Sequence, residues 1–112
     1  MRVLVCGGRD YSNQSKVSEV LSSLGPSSII HGNAKGADDL ADNWARANEV
    51  PVMPFPADWG KYSKSAGYIR NKQMLAEGKP DLVVAFPGGK GTANMVKLAK
   101  LANIPIHTID VP

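Results

Sequence analysis

The chain is short of the residues that mark specialised environments. It has one cysteine, Cys6, so no internal disulfide can form, and that thiol lies inside an apolar run where a small buried hydrophobe is expected. No apolar run reaches transmembrane length. The opening residues, one arginine and four apolar side chains leading straight into Gly7-Gly8, do not read as a secretory signal, so cytoplasm is the expected compartment. Basic residues are scattered, and a net charge of +3 is too small for tight charge-driven binding of DNA or RNA. His31 and His107 lack cysteine or carboxylate neighbours at ligand spacing, so both read as structural and neither a metal site nor a cofactor is expected. No nucleophile elbow G-x-S-x-G, Walker loop or Rossmann G-x-G-x-x-G occurs, and no Ser-His-Asp arrangement can be argued from residue order.

Glycine and proline, by contrast, are plentiful, and they fall mostly at the ends of apolar runs, where they punctuate the chain. Its 112 residues suit one domain, 1–112, able to bury about two-thirds of its unfolded surface. The stretch that organises the chain is 81–102. Leu82 to Phe86 is a short apolar run, β-branched in its middle, which reads as a strand buried on both faces. Pro87 ends it, and Gly88, Gly89 and Gly91 make a turn that can take positive φ and let a partner approach the backbone. Met95, Leu98, Ala99 and Ala102 follow at helical spacing. A strand, a glycine-rich turn and a helix start present unpaired N–H groups at the positive end of a helix dipole, which binds anions and most often phosphate.

The remaining elements repeat this grammar. Arg2 to Cys6 reads as a strand, Gly7 to Tyr11 as a turn, and Ser12 or Asn13 as the cap of a helix carrying Val17, Val20, Leu21 and Leu24, which Gly25-Pro26 stops. Ser28 to His31 is a second strand, followed by the turn Gly32 to Gly36. The next helix has Ala37, Leu40, Ala41, Trp44 and Ala45 on one face and Asp38, Asp39, Asp42 and Arg46 elsewhere. Val50 to Phe55, interrupted by prolines, reads as an edge strand. Pro56 to Gly67 is the longest irregular stretch, of the kind that forms lids or binding loops. Tyr68 to Glu77 is helical, opened by Arg70 and Asn71 near its start, and Ile104 to Ile109 is a fifth strand.

Five strands alternating with four helices predict an α/β fold: a doubly wound, mostly parallel, five-stranded Rossmann-like sheet with helices on both faces. Strand order 3-2-1-4-5 is the simplest that right-handed crossovers allow, and its topological switch lies between strands one and four. The turns Gly7–Tyr11, Gly32–Gly36 and Pro87–Thr92 then share the ligand-binding rim at the carboxyl ends of the strands.

On that rim, Arg70 and Arg9 are candidate anion clamps. Asp10 could meet ribose hydroxyls, with helix capping its simpler role, and Asn33 is a second candidate for ribose. Trp59 and Tyr62 could stack on a purine or cover the core edge. Asp58 is a candidate acid or base, with a turn cap its simpler role.

Five segments carry a resemblance: Gly7-Gly8-Arg9-Asp10-Tyr11, His31-Gly32-Asn33-Ala34-Lys35-Gly36-Ala37-Asp38, Ala57-Asp58-Trp59, the run from Ser65 to Met74, and Ala85 to Met95. In this order, over nearly the whole chain, they resemble the YspA-related branch of the SLOG superfamily, which includes the Lonely Guy phosphoribohydrolases and the DNA-processing protein DprA. The resemblance implies a Rossmann-like fold that binds nucleotides or nucleotide-derived ligands at its glycine turns. The phosphoribohydrolases carry an arginine with a methionine four residues on, then P-G-G-x-G-T-x-x-E. Arg70 and Met74 match the first part, and Pro87, Gly88, Gly89, Gly91 and Thr92 match the second, but Met95 stands where the catalytic glutamate belongs.

The expected function is therefore binding or sensing of a nucleoside phosphate or ADP-ribose-like ligand. Gly7, Gly8, Gly32, Gly36 and the Gly88–Thr92 backbone, Lys90 included, would form the cradle. Arg9, Arg70 and Asn71 would contact the ligand, and Trp59 would cover the base. The alternative is a nucleoside monophosphate N-glycosidase, using Arg70 with Asp58 or Asp10 in place of the missing glutamate. Single-stranded nucleic-acid binding is the weaker alternative. A homodimer or higher homo-oligomer is expected, with Leu98, Leu101 and Trp44 partly facing a partner.

Overall fold

The computed structural model describes residues 1–112 as one parallel sheet of five strands with helices on both faces. In chain order the elements are β1 (Arg2–Cys6), α1 (Gln14–Leu24), β2 (Ser28–His31), α2 (Ala37–Ala47), β3 (Val52–Pro54), α3 (Trp59–Tyr62), a 3-10 turn (Ser63–Ser65), α4 (Ala66–Gly78), β4 (Leu82–Ala85), α5 (Lys90–Leu101) and β5 (Ile106–Thr108). The spatial order is β3-β2-β1-β4-β5, as expected, and every pairing is parallel. β4 stops one residue early, at Ala85, and the edge strands are each shorter than their apolar runs. Pro51 and Pro105 flank them and cannot donate to a ladder.

Alternation along the strands divides the core in two. Val3, Val5, Ile29, Val84 and Phe86 point to one face, where α1 and α2 cover them with Val17, Val20, Leu21, Ala41 and Trp44. Leu4, Cys6, Ile30, Val83 and Ala85 point to the other, under Met74, Met95 and Ala99 of α4 and α5. After β3 the chain returns to the other side of β1, so the crossover to β4 carries α4 to the opposite face. The carboxyl ends of β1 and β4 become the switch point.

Three expectations change. The stretch 56–67 is not irregular: Asp58 caps α3 by accepting from the Lys61 N–H at 3.0 Å, and the 3-10 turn leads directly into α4. Because α4 starts at Ala66, Arg70 and Asn71 lie in its second turn rather than opening it. Trp44 is buried, and its indole N–H donates to Ser22 Oγ at 3.0 Å, tying α2 to α1. It therefore has no face to offer a partner subunit, whereas Leu101 is 73% exposed.

Candidate functional site

The three glycine turns are stitched together. The Gly8 N–H donates to the Pro87 carbonyl at 2.8 Å, and the Gly8 carbonyl accepts from the Ala37 N–H at 3.1 Å. Side chains would pry this junction apart. A Cβ on Gly88 would lie 2.6 Å from Gly8 N, and one on Gly36, whose φ is +79°, would lie 2.6 Å from the Arg9 carbonyl oxygen. The Gly88–Gly91 segment itself does not use positive φ, so the expectation of left-handed turn residues there is corrected. Gly88 is needed for close approach. Gly89 and Gly91 are different: a Cβ on either would meet nothing within 4 Å, and Gly91 already lies inside α5. Their open sides face a cavity.

That cavity has a volume of about 380 Å³ and opens at the switch point. Cys6, Gly7, Gly8 and Arg9 come from the end of β1, and Ala34 and Asp38 from the approach to α2 and its first turn. Trp59 and Lys64 come from the α3 segment, Gly67, Tyr68, Arg70, Asn71 and Met74 from α4, and Gly89, Lys90, Gly91 and Thr92 from the start of α5. The beginnings of α2, α4 and α5 all border it. Their N-cap residues, Gly36, Ser65 and Gly89, make no side-chain capping bond, whereas Asn13 caps α1 by accepting from the Lys16 N–H at 3.0 Å. Three uncapped helix starts and four cations, Arg9, Lys64, Arg70 and Lys90, give the cavity a positive wall.

Arg70 is braced. It donates through Nη1 to the Gly32 carbonyl and through Nε to Asn71 Oδ1 at 3.1 Å, leaving its other N–H groups for the cavity. Burial pulls its pKa below the ordinary value, opposed by Asp38 and reinforced by Arg9. Asn71 is buried and donates to the Gly91 carbonyl at 3.2 Å and to Asn94 Oδ1 at 2.9 Å, so it fixes Arg70 against the start of α5. Arg9 lies 5.6 Å from the centroid of the Trp59 ring, a cation–π pair at the rim.

The carboxylate in the lining is Asp38, 6% exposed, which the sequence places off the apolar face of its helix without a role in the site. Its Oδ2 accepts from the Gly32 N–H at 3.0 Å and the Ala34 N–H at 3.3 Å. Burial raises its pKa, while His31, the two backbone N–H groups and Arg70 pull it down. The signal was its place two residues after Gly36, in the first turn of a helix leaving the rim. Lys64 and Gly67 were also missed, because a stretch read as irregular assigns no direction to its residues, and Tyr68 was missed as the first residue of its expected helix.

Other expected residues fall elsewhere. Asp10 is exposed, lies outside the lining and caps nothing, since Asn13 does so. Asp58 is occupied as the α3 cap and borders a separate groove with Lys61 and Tyr62. Gly32, Asn33 and Gly36 shape the site from behind, and Pro87 and Gly88 face a groove between α5 and β5. His31 is structural: Nδ1 accepts from the Asn33 N–H at 2.9 Å, which makes Nε2 the donor to Asp42 Oδ1 at 2.9 Å. Cys6 lies on the cavity floor, where burial and then Asp38 push its thiol up to about 12, so it is no nucleophile at neutral pH. Met95 is sealed in the core beside Met74 and Ala99 and does not reach the cavity.

The profile of the YspA, cpYpsA-related SLOG family matches residues 1–62, from β1 through α3. The chain belongs to this SLOG family. It is also similar to the Gene 61 protein of Mycobacterium phage D29, with 37% identity over 117 aligned positions that cover 94% of this chain and 93% of that protein. The similarity to that relative runs beyond residue 62, through α4 and α5. No helix of this SLOG protein is long and apolar enough to cross a membrane.

Proposed function

We propose that this SLOG protein binds a nucleotide or nucleotide-derived ligand in the switch-point cavity, holding phosphate at the start of α5. The observation that carries this reading is the convergence of three uncapped helix starts with Arg9, Lys64, Arg70 and Lys90 on one cavity of about 380 Å³. The Lys90, Gly91 and Thr92 N–H groups and the Arg70 guanidinium meet the phosphate, as an anion at a helix start requires. Gly89 and Gly91 leave the room it fills. Trp59 and Tyr68, half exposed at the mouth, are placed to cover a base.

Binding is favoured over N-glycoside cleavage. Asp10 and Asp58 stand away from the cavity, and the glutamate position holds a core methionine. Titration calorimetry with AMP, ADP, ADP-ribose and cyclic nucleotides should show saturable heat for at least one of them. Silence across that panel removes the proposal. Release of free base during prolonged incubation with AMP or CMP would replace binding with hydrolysis.

A further inference from the structure

Among the groups that line the cavity, Asp38 is the one whose presence the phosphate reading does not explain. A carboxylate inside a positive cavity repels the anion that the walls attract, and burying it costs free energy unless something uses it. Its Oδ2 is spent on the Gly32 and Ala34 N–H groups, but its Oδ1 has no hydrogen-bond partner within the protein. No side-chain oxygen or nitrogen is sealed away unsatisfied, so this free oxygen lies at the cavity surface. The side chain cannot swing away, because the two backbone donors hold it.

The surroundings narrow what Oδ1 accepts from. Four cations line the same walls and turn away a positively charged donor. The neighbouring floor is Val5, Cys6 and Met74, and Cys6 stays a neutral thiol, so no charged group of the floor competes for Oδ1. The aromatic side chains that can take a base stand at the mouth, with Trp59 50% and Tyr68 43% exposed, whereas Asp38 lies deep. Between a base at the mouth and a phosphate at the α5 start, the neutral donors of a nucleotide are its sugar hydroxyls. A volume of 380 Å³ is near the lower end of the roughly 300–1,000 Å³ typical of ligand sites, which suits a mononucleotide better than a dinucleotide.

Resting on the nucleotide reading above, we propose that Asp38 Oδ1 accepts a hydrogen bond from a ribose hydroxyl of a bound nucleoside monophosphate. Asp38 thereby makes the site selective for ribonucleotides over their deoxy forms. Phosphate contacts supply affinity without regard to the sugar, and the carboxylate supplies discrimination.

The test measures binding of adenosine, guanosine, cytidine and uridine 5′-monophosphates, their 2′-deoxy and 3′-deoxy forms, and inorganic pyrophosphate to the wild type and to Asp38→Asn. The asparagine can keep an oxygen on the Gly32 and Ala34 N–H groups while turning a donor toward the cavity, and pyrophosphate binding reports that its fold is intact. In the wild type, at least one ribonucleotide should bind roughly ten- to a hundredfold tighter than one of its deoxy forms, as expected for a hydrogen bond to a charged acceptor. Asp38→Asn should erase that preference while pyrophosphate still binds, at least as tightly as to the wild type, because a repelling charge has gone. Equal wild-type affinity for ribo and deoxy forms, or a preference that survives in Asp38→Asn, overturns the proposal and leaves the nucleotide reading standing. So does binding of ADP-ribose without any monophosphate. Binding of pyrophosphate but of no nucleotide overturns both. Loss of pyrophosphate binding in Asp38→Asn makes the residue structural and overturns the proposal alone.

Discussion

The helix starts of this protein fall into two groups. α1 and α3 begin under a side-chain oxygen, from Asn13 and Asp58, that meets an otherwise unpaired N–H group. α2, α4 and α5 begin with no such oxygen, and the first turns of all three line one cavity. The first four N–H groups of any helix need a partner. At α1 and α3 a side chain supplies one. At the cavity α2 spends its first N–H on the Gly8 carbonyl and α4 its first on the Ser63 carbonyl, whereas α5 opens at Gly89 with no side-chain cap, next to Lys90. The glycines divide the same way: Gly36 and Gly88 are demanded by backbone packing, whereas Gly89 and Gly91 are crowded by nothing.

The contrast breaks most completely at Arg70. Arg70→Gln removes the braced cation from the cavity wall and should weaken phosphate-bearing ligands roughly a hundredfold by calorimetry. Arg70→Lys should recover only part of this, since an ammonium cannot reproduce the fork. Gly89→Asp converts an open helix start into a capped one. It should raise stability by about 0.5 kcal/mol in urea melts while cutting nucleotide affinity roughly tenfold or more, because the added carboxylate occupies the phosphate position. Nucleotide affinity left unchanged in Gly89→Asp would mean that the α5 start is not the anion site. Asn13→Ala is the converse: about 1 kcal/mol of stability lost, with nucleotide affinity unchanged.

Asp38 offers a smaller, pH-dependent comparison. Its folded-state pKa is raised by burial, so the native protein holds that proton more tightly than the unfolded chain does. Its contribution to stability is therefore largest below the unfolded value and declines as pH rises through the folded one. Asp42 runs the other way. Burial raises its pKa, but hydrogen bonds from Arg46 and His31 overcome that and lower it on balance, so its contribution is lost as pH falls. Urea melts of wild type and Asp38→Asn across the acidic range should show the wild type losing ground to the variant as pH rises. A constant gap would contradict the raised value. The smallest effect is expected at Leu101→Asp on the exposed side of α5, within about 0.5 kcal/mol of wild type by thermal melting. Light scattering of the same variant tests whether that side takes part in self-association.

Much of this was legible in the residue order because it depends on local pattern. β-branched runs bounded by glycine and proline specify strands, spacing at three and four specifies the buried helix faces, and alternation of the two specifies a parallel sheet. Handed crossovers then leave little choice of strand order, so the meeting of three glycine turns on one rim followed before any coordinates. The direction of a polar side chain at the start of a helix could not be read. Asp38 shares its helix with Asp39 and Asp42, and one periodicity places all three away from the apolar stripe. Only the packed structure shows that α2 starts beneath the β1 turn, where the Gly32 and Ala34 N–H groups draw that one carboxylate inward. Tertiary structure likewise sent Trp44 to the core and Met95 out of the cavity. Pattern determined the elements, their order and the rim. Which side chains face the cavity was decided by contacts between residues distant in sequence, which no local period encodes.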